Sequence, residues 1–142
     1  MARSVSGYVP FLPASVLSPN RGERRQGRIP EEISEAKRQL RADTCLWLLS
    51  LEQVKVIKTP FPYARLSCIY RSRNGRGLKD GFYRADDVTN AIYAHKSFYD
   101  GFIDAALIVD DGYAHLELGI QRIERVSTPA EEGVEFLLEE IA

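Results

Sequence analysis

The stretch from Gly81 to Val109 constrains the fold of this chain more than any other part of the sequence. Asp86 and Asp87 can accept hydrogen bonds from the free N–H groups of a first helical turn, and their charge suits the positive end of the helix dipole. One helical face then follows, formed by Val88, Ala91, Ile92, His95 and Tyr99. Gly101 favours a helix end, and residues 105–109 are continuously apolar. The stretch predicts a capped helix, a glycine stop and a buried strand.

The segment before this stretch predicts a long helix and a hairpin. Pro30 suits a first helical position, and apolar residues keep helical spacing to about residue 50. Residues 52–58 and 64–71 alternate apolar and polar side chains on either side of the stiff turn TPFPY. We therefore expect a helix from about 31 to 50, followed by two paired strands.

The segment after the stretch predicts another strand and a last helix. Asp111 and Gly112 are a hairpin turn signal, and residues 114–121 alternate as a half-buried strand does. Thr128 and Glu131 match a capping box with a proline at the first helical position. Helical spacing then continues through Val134, Leu137, Leu138 and Ile141.

Together these elements predict a two-layer α+β sandwich with the order α-ββα-ββα. Three helices would cover a mostly antiparallel four-stranded sheet, and residues 30–142 would form this single domain. Residues 1–29 have no hydrophobic period and several prolines, so we expect an extended or disordered N-terminal arm. Because the arm still carries apolar residues, it would gain by lying on a neighbouring surface, its own or a partner's.

The charges of the chain are divided unevenly along the sequence. Residues 1–84 hold 16 basic and 7 acidic residues, whereas residues 85–142 hold 3 basic and 13 acidic residues. The net charges of these halves are therefore +9 and −10. This asymmetry predicts an anionic partner, a basic partner or copies that meet basic side to acidic side. Alternatively, the halves neutralise each other within one fold.

The sequence offers little for catalysis, cofactors or metals. His95, His115, Cys45 and Cys68 show no paired ligand spacing, so no metal site is predicted. No nucleophile elbow or phosphate-binding glycine loop is found, so no catalytic residue and no cofactor are predicted. The two cysteines fit a reducing compartment, and no run approaches the ~18 apolar residues of a membrane span. We expect a cytoplasmic protein, or an organellar one if the N-terminus, free of acids until Glu23, is a transit peptide.

A glycine-rich basic loop is the best candidate binding element. Four cations, Arg71, Arg73, Arg76 and Lys79, lie within nine residues and are flanked by Tyr70 and Tyr83. Arginines with interleaved aromatic residues can bind phosphates and stack on bases. The arm adds Arg21, Arg24, Arg25 and Arg28. These ten residues form a candidate nucleic-acid site, although a loop that only improves solubility is the alternative.

Short segments resemble known families. YRADDVTNAIYA, from Tyr83 to Ala94, is similar to a segment of RES-domain NAD-degrading toxins that ends in a catalytic glutamate, for which Ala94 stands here. This resemblance implies a divergent NAD-processing enzyme without its glutamate. GFIDA, from Gly101 to Ala105, resembles the core of the LAGLIDADG homing-endonuclease motif, whose connectivity is αββαββα. In this chain Ala106 and Leu107 replace the closing Asp-Gly of that motif.

The sequence thus favours a non-enzymatic protein-binding or assembly module. Its apolar and basic arm and its segregated charged faces would engage a protein partner or a second copy of the chain. The alternatives are a nucleic-acid-binding protein that uses loop 71–79 and arm residues 21–28, and the RES-like NAD-processing enzyme.

Overall fold

A computed structural model of the protein describes residues 2–18 and 29–142. Within these ranges the chain forms four β-strands: β1 (Ser4–Val9), β2 (Ala64–Ser72), β3 (Leu116–Arg125) and β4 (Gly133–Glu140). It also forms four α-helices: α1 (Ile29–Ser50), α2 (Glu52–Lys55), α3 (Val88–Ala94) and α4 (Lys96–Asp104). Two single 3₁₀ turns lie at Ser15–Leu17 and Pro129–Glu131.

The four strands form one mixed sheet with the order β1-β4-β2-β3. β4 pairs antiparallel with both β1 and β2, whereas β2 and β3 are parallel. The parallel pair follows from the connection, because the chain crosses from β2 to β3 through α3 and α4 instead of a short hairpin. The predicted α+β class and four-stranded sheet are confirmed, but the sheet is mixed and four helices replace the predicted three.

One face of the sheet packs on the helices and builds the core. Along β2 every second residue is buried, from Ala64 to Ser72, and the residues between them are only partly buried. Phe98 and Phe102 of α4 meet Phe136 of β4 in edge-to-face contacts, with ring centroids 5.1 to 6.5 Å apart. The period of two along β2 thus separates a helix-covered face from an open face.

The first predicted hairpin is replaced by a short helix and a central strand. The strand predicted at 64–71 is confirmed as β2, but its neighbours are β4 and β3. Residues 52–58 are not a strand. The N–H groups of Val54 and Lys55 donate to the carbonyl of Leu51, and this helical turn buries Val54. A single buried valine is compatible with a strand and with a helical turn, and the backbone hydrogen bonds select the helical turn.

The predictions for the stretch from Gly81 to Val109 are partly confirmed. Asp87 caps α3 by accepting a 2.8 Å hydrogen bond from the N–H of Asn90. The predicted stop at Gly101 is wrong, because this residue lies inside α4. A Cβ there would lie 2.6 Å from the Cβ of Thr44 in α1, so glycine is used for close packing of the two helices. The predicted strand at 105–109 is also wrong, since Ala106 has a positive φ of 59° and the segment turns.

The predicted last helix is wrong as well. Glu131 does accept hydrogen bonds from the N–H and hydroxyl of Thr128, at 3.2 and 2.8 Å, but the capped turn ends after one 3₁₀ turn. The chain then forms β4, in which Val134, Phe136 and Leu138 are buried at alternate positions. β4 lies between β1 and β2, inside the sheet. Its pairing with both strands overrides the helical spacing of the local sequence.

The described part of the predicted arm packs on the domain. Residues 4–9 are extended and form the edge strand β1, and the indole N–H of Trp47 donates to the carbonyl of Tyr8 at 2.8 Å. The strand predicted at 114–121 is confirmed as β3, but its predicted burial is wrong, since Leu118 and Ile120 are 41% and 72% exposed. The helix predicted at 31–50 is confirmed as α1. The division into an arm of residues 1–29 and a domain of residues 30–142 stays a prediction.

Candidate functional site

The basic and acidic halves of the sequence pair with each other in the folded chain. Arginines of the first half form ion pairs with carboxylates of the second half at 2.5 to 3.2 Å: Arg3–Glu140, Arg41–Asp104, Arg65–Glu117, Arg71–Glu124, Arg71–Glu135, Arg73–Glu132 and Arg84–Glu132. Many charges that look segregated in the sequence are therefore neighbours in space. These ion pairs favour the interpretation in which the basic and acidic halves neutralise each other within one fold.

The predicted nucleic-acid residues are distributed over different environments. Arg71 is half-buried between Glu124 and Glu135, and Arg73 pairs with Glu132. Arg76 and Lys79 are exposed on the loop. Arg21, Arg24, Arg25 and Arg28 lie outside the described residues. Two of the four loop cations therefore already have carboxylate partners.

The two flanking tyrosines also differ. Tyr70 is 3% exposed, and its hydroxyl lies 2.5 Å from the hydroxyl of Tyr99 and donates to Gln121 at 2.7 Å. Burial raises the pKa of both hydroxyls. Tyr83 is half-buried, and burial raises its pKa to about 12. The ring of Tyr70 thus faces the core, where a base could not stack on it.

A cluster of four charged residues, of which Arg84 and Glu132 are buried, holds the loop after β2. Arg84 donates to Glu132 at 2.7 and 3.0 Å and to Asp80 at 2.8 Å, and both side chains of the Arg84–Glu132 pair are less than a tenth exposed. Arg73 adds hydrogen bonds from its N–H and its guanidinium to Glu132. The Arg84 guanidinium lowers the pKa of Glu132 to about 2. We call these residues, Arg73, Asp80, Arg84 and Glu132, the Glu132 cluster. Because their charges satisfy each other, they act as a structural brace.

His95 is a buried core residue at the junction of α3 and α4. Its Nδ1 lies 2.7 Å from the carbonyl of Ala91, and its Nε2 has no partner among the described residues. Burial lowers its pKa to about 4. The ring packs 4.6 Å from Tyr70 and edge-on to Phe98. An imidazole in this environment is neutral at physiological pH and is closed off from solvent.

An open groove of about 800 Å³ lies between the N-terminal segment and α1. Its floor consists of Phe11, Leu12, Pro13, Ala36, Leu40 and Phe82. Its rim along α1 consists of Glu31, Glu32, Glu35 and Asp43, together with Gln39. We call this site the acidic groove. It is the largest of the described cavities that combine apolar walls with a rim of one charge sign.

The local sequence explains why these residues come together. Glu31, Glu35, Gln39 and Asp43 recur every four residues, so they follow one edge of α1. The N-terminal segment is held beside residues 81–83 by backbone hydrogen bonds, from Ser15 to Gly81 and from Tyr83 to Pro13, at 2.8 and 2.9 Å. The floor is therefore fixed by main-chain contacts of residues far apart in sequence.

Aromatic residues form the accessible part of the floor. Phe11 packs edge-on against Trp47, with ring centroids 6.5 Å apart. Phe82 is half-exposed, at 50%, although it belongs to a large apolar residue type. Glu31, Glu32 and Glu35 are exposed, and Glu35 pairs with Arg38 of the same helix. The site thus presents apolar surface and negative charge side by side.

Sequence reasoning did not identify the acidic groove. The apolar residues of the arm predicted contact with a surface, and their described part lies on α1 and Phe82. Glu31 and Glu32 lie in the first turn of α1, where the positive end of the helix dipole is by itself a sufficient reason for acidic residues. The four-residue spacing of acids along α1 was a signal for one charged edge, but no sequence pattern joins that edge to Phe82.

Comparisons with known proteins add no family to this geometry. No protein-family model matches the chain, and no curated protein matches it closely enough to count as a relative. In the described ranges, no helix is both long and apolar enough to cross a membrane, including the 22 residues of α1. Among the same residues, no three histidine, cysteine or acidic side chains converge as a metal site would require.

Proposed function

We propose that the protein is a non-enzymatic protein-binding module, and that its acidic groove binds a basic, partly apolar segment of a partner protein. The observation that carries this proposal is the pairing of an apolar floor with four carboxylates on one rim. Phe82 is the main anchor, because a half-exposed phenylalanine beside a groove gains by burial against a partner.

The two parts of the groove have different roles in this proposal. Covering the floor removes apolar surface from water, which favours binding by about 25 cal/mol per Å². The carboxylates attract a basic segment, and they discriminate against acidic partners because like charges repel. A helical segment with apolar residues on one face and arginine or lysine beside them meets both requirements.

The remaining alternatives have less support. Nucleic-acid binding through residues 71–79 would need Arg71 and Arg73 to give up their carboxylate partners. The RES-like interpretation lacks a glutamate at Ala94, which is buried. Cys45 and Cys68 are free thiols, so we place the protein in a reducing compartment such as the cytoplasm.

A peptide titration tests this function. The probe is a fluorescein-labelled 14-residue helical peptide with leucines on one face and lysines on the flanks. Its anisotropy reports binding, and the fluorescence of Trp47, the single tryptophan, reports contact near Phe11. A second peptide, in which glutamates replace the lysines, is the charge control. We expect saturable binding of the basic peptide that weakens as salt rises.

Two pairs of variants localise the binding. Phe82→Ser should weaken the basic peptide at least tenfold, whereas Tyr113→Ser, at a residue that is 95% exposed elsewhere, should not. Glu31→Gln with Glu32→Gln should also weaken it, whereas Glu52→Gln in α2 should not. Equal affinity for both peptides, or equal effects of the groove and control variants, would reject the acidic groove as the binding site.

A further inference from the structure

The open face of the sheet carries a second apolar surface, which shares no lining residue with the acidic groove. Its centre is formed by Ile69 of β2, Leu137 of β4 and Ile120 of β3. Ile120 is 72% exposed and Leu137 is 38% exposed. These side chains lie around a shallow depression of about 610 Å³. We call this surface the open face.

Small residues and a bulge shape the depression. Between Leu118 and Gln121, two residues of β3 lie opposite the single Ser67 of β2, which is a β-bulge. At Gly119 a Cβ would lie 2.2 Å from the hydroxyl oxygen of Ser67, so a larger residue there would require the Ser67 side chain to move. The bulge brings Ile120 to the open face, where it stands beside low neighbours. A protruding isoleucine beside a depression is a shape that can interlock with a copy of itself.

The charges around this centre have both signs. Arg65 lies beside Glu117, at 3.1 Å, and Arg71 lies beside Glu124 and Glu135, at 3.1 and 3.2 Å. A rim with charges of alternating sign does not repel a copy of itself. It also does not strongly attract a partner that carries charges of one sign only. In a two-fold interface each patch meets itself, so mixed signs are what self-complementarity requires. A polyanion such as a nucleic acid does not fit this rim.

The area of the open face sets the size of such an interface. Four strands about 4.8 Å apart, with about eight residues each at about 3.3 Å per residue, cover about 500 Å². Two copies would therefore bury about 1,000 Å², which is near the lower limit for specific association. Interfaces at this end of the size range are typical of weak or transient association, so we expect the dimer at high protein concentration.

We propose that two copies of the chain associate face to face through their open faces, about a two-fold axis. Ile120 of each copy packs into the depression beside Ser67 of the other. Packed sheets align within about 30° and lie about 10 Å apart, which is the distance that side chains such as Ile120 and Leu137 fill. This interface uses apolar residues and paired charges, and it does not depend on the acidic groove.

Sedimentation velocity of the full chain from 5 to 300 µM tests the proposal. The expected result is a concentration-dependent shift from monomer to dimer. Ile120→Asp should abolish the shift over this range, because the two-fold axis places two unpaired carboxylates in the interface. Val109→Asp is the matched control, since Val109 is 46% exposed but does not belong to the open face, and it should dimerise as the unchanged protein does.

Other outcomes would overturn the proposal. A monomer at 300 µM, a dimer that persists in Ile120→Asp, or equal effects of the two aspartate variants would each do so. Circular dichroism and thermal unfolding must show that Ile120→Asp is folded, and Ile120→Ser serves as a milder variant in case it is not. Phe82→Ser leaves the open face intact and should still dimerise, so failure of the acidic groove as a peptide site and failure of this interface are distinguishable.

Discussion

Replacing Glu132 by glutamine removes the negative charge at the centre of the Glu132 cluster and keeps the size of the side chain. In the native protein this carboxylate accepts hydrogen bonds from Arg84 at 2.7 and 3.0 Å and from the N–H of Arg73 at 2.9 Å. Its side chain is only 6% exposed. After the substitution the buried guanidinium of Arg84 and the partly buried guanidinium of Arg73 share one remaining carboxylate, that of Asp80. We therefore expect Glu132→Gln to lower the free energy of unfolding substantially.

The size of this loss follows from the pKa of Glu132. The cluster lowers that pKa from 4.5 to about 2. Because each pKa unit corresponds to about 1.4 kcal/mol, ionised Glu132 contributes about 3 kcal/mol to stability at pH 7. The folded-state pKa lies below the unfolded-state value. The contribution is therefore fully present above about pH 4.5 and is lost as the pH falls toward 2.

Urea unfolding of the native protein and of Glu132→Gln, at pH 7 and at pH 3.5, measures this contribution. The difference between the two proteins should be about 3 kcal/mol at pH 7 and about 1.4 kcal/mol smaller at pH 3.5. Other acid-sensitive groups act in both proteins and cancel in the comparison. Glu135→Gln is the matched control, because its carboxylate is 48% exposed and such pairs contribute only about 0–1 kcal/mol.

Two results would refute this reasoning. If Glu132→Gln lost no more stability than Glu135→Gln at pH 7, the cluster would not stabilise the fold. If the loss were large but independent of pH, it would come from packing of the side chain and not from its charge.

Three further predictions concern the helices and are measured by the same urea unfolding. His95 should lower the free energy of unfolding by about 2 kcal/mol between pH 7 and pH 5, because its pKa falls from 6.5 to about 4 on folding and the unfolded state takes up the proton first. His95→Phe should remove this loss, and an unchanged pH dependence in that variant would contradict the prediction. Gly101→Ala should destabilise the protein by about 1–3 kcal/mol because its Cβ would lie 2.6 Å from Thr44, whereas Gly112→Ala, with a nearest contact of 3.5 Å, should cost less than about 0.5 kcal/mol. Thr44→Val should be neutral or stabilising by up to about 1 kcal/mol, since the buried Thr44 hydroxyl has no partner among the described residues, and a loss above about 1 kcal/mol would contradict that.

Local signals predicted those elements whose determinants are local. The cap at Asp87, the proline at the start of α1 and the alternation in β2 are each decided within a few residues. Their side chains need only an apolar layer to pack on, whichever residues form that layer. Their positions could therefore be predicted before the neighbouring elements were known.

Prediction failed where a distant neighbour decides the conformation. Gly101 is compatible with a helix end, but Thr44 of α1 makes it a contact point inside α4. Residues 133–140 fit a helical stripe and a strand equally well, because their apolar residues satisfy both periods. The place between β1 and β2 selects the strand, and no pattern within residues 133–140 contains that information.

The candidate site is less predictable than the fold, since it is assembled from three separate segments. Phe11, Glu35 and Phe82 belong to the N-terminal segment, α1 and the loop before α3. Each has an ordinary local explanation. Only the backbone contacts between residues 13–15 and 81–83 bring them to one groove.

The sheet order also explains why charges from the two halves of the sequence pair with each other in the fold. β4, from the acidic half, lies between β1 and β2, which both come from the basic half. Arg3, directly before β1, and Arg71 of β2 therefore each lie beside β4, and they pair with its Glu140 and Glu135. The acidic groove lies on α1, within the basic half, so the sign of its local charge is opposite to the net charge of the half that carries it.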